Sequence, residues 1–183
     1  IVLMCTTLII YQQFQHLRSA PLGYNTAALI SVPIKHDEKG KEIVNKMRTL
    51  LASQTSIVSV SGSTVNLGVG QDGSTSRMSF GFGYKDKSVS TDFMQADYDI
   101  LKTLDIPLKA GRDFSTAYVA DSMNSVIITE SMAKQLAEKE VIGLSFFADS
   151  SEPRWNVVGV IPDFHLYSMY EETATLTISM NNN

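Results

Sequence analysis

Residues 155–165 read Trp-Asn-Val-Val-Gly-Val-Ile-Pro-Asp-Phe-His, and this run decides the fold. In residues 155–161 both sets of alternating positions are largely apolar, which is typical of a strand buried on both faces of a sheet. Gly159 inside such a strand predicts the close approach of another backbone. In the turn that follows, we expect Asp163 to cap backbone amides and Phe164 to pack inward.

Other apolar patterns predict the elements around this central strand. Residues 126–128 read as a buried strand, and Thr129 is placed to cap a helix that follows it. Alternating apolar residues predict extended segments at 89–96 and 176–180. Asp97 is a good N-cap for a short helix with an apolar face.

The first third of the chain predicts a β-α-β unit. Residues 27–34 alternate as in a strand, an amphipathic helix of about 14 residues follows, and residues 57–60 form a second short strand. The apolar face of this helix consists of Ile43, Met47, Leu50 and Leu51. Residues 61–88 are rich in Gly and Ser, and they predict a long mobile loop or a flexible hairpin.

The composition excludes several classes of function. The chain has 183 residues, of which 44% are hydrophobic and 19% are charged, so it can bury a core. The net charge of -4 comes from interspersed acids and bases, and the absence of a basic stripe argues against a nucleic-acid partner. A single cysteine, Cys5, excludes an internal disulfide.

Residues 1–10 are almost wholly apolar and uncharged. They predict either a buried N-terminal element of a soluble fold or the outer end of a transmembrane helix. In the second case residues 1–18 hold the end of the helix and its exit to water, with Tyr11 as an interfacial anchor. The chain begins with Ile1 and ends with three asparagines, so we expect a piece of a longer protein.

Three patterns look like sites for chemistry but lack their required partners. Residues 68–73 match G-x-G-x-x-G, yet no helical pattern follows to bind a pyrophosphate. Ser131 and Lys134 match S-x-x-K without the S-D-N and K-T-G elements of that class of hydrolase. Asp163 and His165 are too few ligands for a metal centre. We therefore expect no catalytic residue, no cofactor and no metal.

The order of three segments resembles a known family. Residues 97–115, 125–143 and 155–165 look like the periplasmic core domain of ABC-transporter permeases of the MacB/FtsX type. The N-terminal run through residues 22–25 is similar to the span and exit that precede such a domain. The resemblance covers roughly residues 1–40 and 90–175.

The resemblance implies an α+β fold with two lobes. A porter-like βαβ lobe is formed by residues 19–96 and 157–183, and the chain leaves it incomplete at its C-terminus. A small mixed α/β lobe, residues 97–156, is inserted in it. This chain departs from the family pattern after Met180, where the return to the next membrane helix is missing.

The resemblance also implies a non-catalytic function. The domain would couple ATP-driven motion of membrane helices to export or envelope remodelling at the bacterial inner membrane, facing the periplasm. The implied partners are a cytoplasmic ATPase subunit, a second permease copy or half, a periplasmic adaptor or substrate, and the membrane itself. An extracytoplasmic sensor or ligand-binding domain of a membrane receptor explains the apolar start equally well. A soluble hydrolase is disfavoured, because no coherent acid–base set is present.

Two sets of residues are candidates for a structural or binding role. Arg112 and Asp113 are interpreted as a solvated or turn-fixing pair rather than a clamp for substrate. The structural signature of the domain consists of Gly111, Arg112, Asp113, Phe114, Gly159, Asp163, Phe164 and His165. A second group, close together in sequence, forms either an exposed contact patch for a partner or simple packing between lobes. It consists of Tyr167, Met169 and Tyr170.

Overall fold

A computed structural model describes residues 2–19, 21–34, 39–70, 73–146, 154–167, 173 and 175–180. The helices are α1 (Val2–Ser19), α2 (Gly40–Leu51), α3 (Ile100–Leu104) and α4 (Glu130–Leu136), with a 3-10 turn at Val119–Ser122. The strands are β1 (Ser79–Tyr84), β2 (Lys87–Ala96), β3 (Ala110–Gly111), β4 (Ser125–Thr129), β5 (Ser145–Phe146), β6 (Trp155–Ile161) and β7 (Leu176–Met180).

The strands form one mixed sheet. Its order is β1-β2-β7-β4-β6-β3, and β5 pairs with β6 beside this path. β2 runs parallel to β7, β4 runs parallel to β6, and β4 is antiparallel to β7. The apolar runs in β4 and β6 explain their central positions, because a strand that is covered on both faces buries all its side chains.

Helices cover both faces of this sheet. On one face, α3 packs over residues that include Met94, Ile127, Ile161 and Ile178. On the other face, Met132 and Leu136 of α4 join a second cluster, as the sequence predicts. The side chains of the predicted apolar face of α3 are likewise buried. They are Ile100, Leu101 and Leu104.

The predicted caps of these two helices have other roles. Thr129 occupies the N-cap position of α4, but its side chain does not cap the helix and instead accepts a hydrogen bond from the Leu176 amide at 3.0 Å. The N-cap of α3 is Asp99 in a left-handed conformation, so the predicted cap Asp97 is wrong. Asp97 is buried two residues earlier.

Residues 79–88 of the predicted loop belong to a hairpin, whereas the described part of residues 61–78 has no helix or strand. β1 and β2 form an antiparallel hairpin from Ser79↔Asp92 to Tyr84↔Lys87. The turn between them is Lys85-Asp86, and both residues have positive φ. Upstream, Val65 is buried in the core, and Ser63 forms an isolated bridge with Ala96. The hairpin alternative therefore holds for residues 79–88, and the described part of residues 61–78 is irregular.

The predicted β-α-β unit is only partly present. Residues 40–51 form α2, but residues 27–34 and 57–60 are not strands. Ile30, Val32 and Ile34 are all exposed, as is Val58. Local β-propensity was misleading here, because a strand also needs a neighbour to receive its backbone hydrogen bonds.

The predicted two-lobed arrangement is not confirmed. β1, β2 and β7 belong to the predicted porter-like lobe, whereas β3, β4 and β5 belong to the predicted insertion. All of them lie in one sheet, so the sheet does not divide at residues 97 and 156.

α1 presents its apolar side chains outward. Val2, Leu3 and Met4 are between 77% and 80% exposed, and Leu8 and Ile10 also lie at the surface. This exposure contradicts the expectation of a buried N-terminal element. Among the described residues, no helix combines the length and the apolar character needed to cross a membrane.

Candidate functional site

The turn at residues 110–114 lies against the central strand β6. β3 pairs with β6 so that Gly111 lies opposite Gly159. A Cβ on Gly111 would lie 2.2 Å from the Val158 carbonyl oxygen, and a Cβ on Gly159 would lie 2.6 Å from the Arg112 carbonyl oxygen. Because real Cβ atoms do not come so close to backbone, the two strands meet only through these glycines. The close approach predicted for Gly159 is confirmed.

The Arg112 guanidinium binds Asp121 rather than the neighbouring Asp113. Its Nη1 donates to Oδ2 of Asp121 at 2.5 Å and its Nη2 donates to Oδ1 at 2.7 Å. The Ser115 amide donates to the same carboxylate at 2.8 Å. The guanidinium also lies 4.0 Å from the centre of the Tyr118 ring. Arg112 therefore fixes the turn, as one of its interpretations holds, but with an acid that the sequence pattern did not indicate.

The two acids of this turn have pKa values displaced in opposite directions. The Asp121 side chain is fully buried, and burial raises its pKa, but hydrogen bonds from Arg112 and the Ser115 amide outweigh this and leave the pKa below its ordinary value. Burial raises the pKa of Asp113, and the hydrogen bond from the Phe114 amide offsets this only in part. Asp121 is therefore a structural carboxylate at neutral pH.

Asp163 caps α4 from the end of β6. Its Oδ1 accepts a hydrogen bond from the Ser131 amide at 2.9 Å, and its Oδ2 accepts one from the Ser131 hydroxyl at 2.5 Å. The predicted capping role is thus confirmed for an amide of a distant helix. The Ser131 hydroxyl is held in this cap, while Lys134 is exposed to solvent.

The segment after α1 is fixed to the core beside Asp163. We name residues 22–25 the exit turn. Gly23 has φ +88°, and a Cβ there would lie 2.7 Å from Phe164 Cβ. The ring of Tyr24 meets the ring of Phe164 edge to face at 6.1 Å between centres, and the His165 amide donates to the Leu22 carbonyl at 2.8 Å. Phe164 and His165 thus bind the chain that leads from α1.

A second contact ties the exit turn to α3. The Asn25 amide donates to the Leu104 carbonyl at 3.0 Å, which satisfies a carbonyl in the last turn of that helix. The Asn25 side chain reaches Asp105 at 3.4 Å and accepts a hydrogen bond from the Ala27 amide at 3.1 Å. The exit turn is therefore joined to the core at two places, the segment after β6 and the end of α3.

α2 docks on the same end of the molecule through a partly buried ion pair. Arg48 Nη2 lies 3.2 Å from Asp97 Oδ2 and also donates to the Val60 carbonyl at 3.1 Å. Val44 is the buried side chain of α2, whereas Leu50 of the predicted apolar face is 75% exposed. Sequence reasoning missed this docking, since neither Arg48 nor Asp97 carries a local signal for a partner 49 positions away.

Tyr167 is the one described residue of the group that was predicted to form either a contact patch or simple packing. Tyr167 is 6% exposed, and the Arg77 guanidinium lies 5.1 Å from its ring centre. Arg77 in turn pairs with the buried Asp92 at 3.1 Å. Tyr167 is therefore packed in the structure, as the simpler of its two interpretations holds. Met169 and Tyr170 lie outside the described residues.

The glycine-rich run leads to a strand instead of a helix. The Gly73 amide donates to the Gly70 carbonyl at 3.0 Å, and the chain after Gly73 continues to β1 without a helix. A pyrophosphate site of the dinucleotide type needs a helix N-terminus at this point. The run therefore does not have the geometry of that motif.

The polar groups around the turn at residues 110–114 and at Asp163 are engaged in structural contacts. A cavity of about 170 Å³ opens beside Asp121, between Trp155 and Met123, and this is smaller than the roughly 300–1,000 Å³ of typical ligand pockets. Arg112, Asp121 and Asp163 each take part in hydrogen bonds that fix the local backbone.

Comparison with solved structures agrees with this architecture. The extracellular domain of the noncanonical ABC-type transporter YknZ from Gram-positive bacteria matches 77% of this chain and 62% of its own length, with a TM-score of 0.52 and 15% identity. This chain has the fold of an ABC-transporter extracellular domain. The resemblance to MacB-like permeases, first seen in the sequence, is thereby confirmed at the level of the fold.

Two other structures are similar over comparable lengths. The periplasmic region of MacB from Actinobacillus actinomycetemcomitans matches with a TM-score of 0.48 and 16% identity over 79% of this chain and 65% of its own. A domain of a permease-like protein from Porphyromonas gingivalis matches with a TM-score of 0.44 and 18% identity over 72% of this chain and 54% of its own. The chain thus spans about two thirds or less of each of these structures. No family model and no curated protein matches the sequence.

Proposed function

We propose that this chain is the extracytoplasmic domain of an ABC-transporter permease and that it transmits motion without catalysing a reaction. The fold shared with the YknZ extracellular domain supports this proposal. The observation that carries it furthest is the exit turn, which joins α1 to the core through Phe164 and Leu104. A domain that relays displacement of a membrane helix needs such a joint, because a loose linker would absorb the displacement.

The exposed apolar half of α1 is the proposed membrane connection. Side chains such as Leu3, Leu8 and Ile10 are costly to expose to water but are stable in hydrocarbon. In this proposal residues 1–18 provide the outer end of a membrane helix, with Tyr11 at the interface. The domain would then face the periplasm, or the cell exterior in organisms with a single membrane.

Displacement would pass from α1 through the exit turn to two parts of the core. Phe164 follows β6, and Asp163 beside it caps α4, so one route leads into the sheet and the helix on its far face. The Asn25–Leu104 bond leads into α3. The Gly111–Gly159 contact and the Arg112–Asp121 pair keep the outer strand β3 fixed to β6, so the core would move as one body.

The partners follow from this role. A cytoplasmic ATPase subunit would drive the membrane helices, and a second permease copy or half would complete the transporter. A periplasmic adaptor or substrate would meet the outer surface of the domain. We further propose that residues 19–96 and 157–183 form the porter-like lobe, in which the exposed apolar residues Ile30, Val32 and Val58 are available for completion by further strands.

The test is to identify what the complete protein binds in its native membrane. The full-length protein is extracted in mild detergent, purified by affinity and analysed by mass spectrometry. We expect an ATPase subunit with a Walker A loop to copurify, and ATP hydrolysis in the purified complex. Copurification with a histidine kinase, or a histidine kinase domain in the same polypeptide, would instead identify a sensor and contradict the proposal.

A further inference from the structure

The outer edge of the hairpin strand β1 is unpaired within the described part of the chain. β1 is the first strand in the sheet order and has β2 as its neighbour. Its sequence, Ser-Phe-Gly-Phe-Gly-Tyr, holds no charge, no proline and no bulge against β2. Those are the devices by which edge strands usually avoid pairing with other chains.

The register of the hairpin shows which backbone groups face outward. The Phe93 amide donates to the Met78 carbonyl at 2.7 Å, so these two residues form a hydrogen-bonded pair. Such pairs alternate along an antiparallel ladder, so Phe80, Phe82 and Tyr84 also bind β2. The residues between them direct their N–H and C=O groups away from the sheet. These residues are Ser79, Gly81 and Gly83.

The three outward-facing residues are small and exposed, so a second backbone can approach them without displacing side chains. On the inner face, Phe80 and Tyr84 are only partly buried, while Phe82 stacks on Phe146 at 5.0 Å between ring centres. An added strand would therefore gain backbone hydrogen bonds at the small residues of β1 and aromatic contacts at Phe80, Phe82 and Tyr84.

We propose that β1 pairs with β1 of a second copy of this chain, antiparallel and across a two-fold axis at Phe82. In this register Gly81 lies opposite Gly83 of the other copy, and the two residues exchange both hydrogen bonds in each half of the interface. Phe80 lies opposite Tyr84, which extends the aromatic cluster across the axis. Two-fold symmetry requires such a self-complementary edge.

Aromatic pairing favours this register over its neighbour. With the axis at Gly81, Tyr84 would lie opposite Met78, which precedes the strand. With the axis at Phe82, each aromatic residue of β1 lies opposite another aromatic residue, and such cross-strand pairs stabilise a sheet. The interface requires only the sheet edge, so it goes beyond the proposed transport function and does not depend on it.

Disulfide formation between cysteine variants tests both the interface and its register. The full chain is used in mild detergent, which covers the apolar half of α1, and Cys5→Ser removes its exposed thiol. Gly81→Cys and Gly83→Cys proteins are mixed and oxidised. We expect a mixed dimer to form several-fold faster than a dimer of Ser90→Cys, which is exposed on β2 beside Gly81.

A matched pair of backbone variants completes the test. Gly81→Pro removes one outward N–H and should abolish the dimer, whereas Gly81→Ala keeps the N–H and adds a Cβ 3.7 Å from its nearest neighbour, so the dimer should remain. Thermal unfolding of both variants shows whether the hairpin itself survives. Equal cross-linking of Ser90→Cys and the glycine pair would overturn the proposal. A chain that stays monomeric in detergent would also overturn the proposal, and the edge of β1 would then be a candidate site for an extended segment of another protein.

Discussion

Replacing Gly111 by alanine tests how closely β3 must approach β6. Gly111 has φ +77°, and Gly143 has φ +78°, so alanine suffers the same backbone strain of about 1–2 kcal/mol at either position. The positions differ in space: a Cβ on Gly111 would lie 2.2 Å from the Val158 carbonyl oxygen, whereas a Cβ on Gly143 meets nothing within 4 Å. Gly143→Ala is therefore the matched control.

The additional cost at Gly111 comes from hydrogen bonds that the displaced strand would lose. The Arg112 amide donates to the Val158 carbonyl at 2.9 Å, and the Lys109 amide donates to the Val160 carbonyl at 2.8 Å. At ~1 kcal/mol for each of the two bonds, plus the backbone strain, Gly111→Ala should cost about 3–4 kcal/mol. For a domain of this size, each kcal/mol lowers Tm by about 2–4 °C.

Thermal unfolding followed by circular dichroism measures both variants against the parent chain. Gly143→Ala should lower Tm by only a few degrees, and Gly111→Ala should lower it by roughly 4–8 °C more, because the two lost hydrogen bonds amount to ~2 kcal/mol. If the two variants melt together, the strain at positive φ accounts for the whole effect. The close contact between β3 and β6 would then have no energetic role.

Three further predictions follow from the same contacts. Phe114→Ala should cost about 3–5 kcal/mol by thermal unfolding, because its ring is buried in the core, and a melt like that of the parent would contradict this. The folded pKa of Asp121 lies below its unfolded value, so its contribution to stability is present above about pH 4 and is lost as pH falls through the folded pKa. Asp121→Asn should therefore flatten the acid side of a stability–pH profile, and an unchanged profile would count against the pairing with Arg112. Removing residues 1–18 should leave the melting temperature unchanged and reduce self-association measured by light scattering, whereas loss of folding would show that α1 stabilises the core.

The sequence predicts the centre of this fold better than its edges. β4 and β6 are apolar on both faces, which is typical of central strands, whereas β7 alternates apolar residues with Thr177 and Ser179 and was predicted as a strand from that alternation. β1 was less distinct, because Gly81 and Gly83 have low strand propensity, although its aromatic residues alternate with small ones. Residues 27–34 failed for a different reason: they have the alternation, but within the described residues they have no neighbouring strand.

Some contacts of the candidate site could likewise be predicted from the sequence, and others could not. Gly159 was identifiable because a glycine inside a doubly buried strand commonly marks the close approach of another backbone. Asp121 gave no signal, since it lies in an irregular segment and its partner Arg112 could as well have paired with the adjacent Asp113. The exit turn was visible as a turn, but its contact with Phe164 depends on two segments about 140 positions apart meeting in the fold, which no local pattern encodes.

The most direct test of the central claim is to loosen the exit turn in the complete transporter and measure motion of the domain. Spin labels at Lys134→Cys, an exposed site on α4, would report the distance between the two copies with and without ATP in a Cys5→Ser background. Gly23→Ala places a Cβ 2.7 Å from Phe164, whereas Gly68→Ala has a similar positive φ and open space. We expect an ATP-dependent distance change in the parent and in Gly68→Ala, and loss of that change in Gly23→Ala while ATP hydrolysis continues. An unchanged distance in the parent on addition of ATP, or an identical response in both variants, would contradict the account.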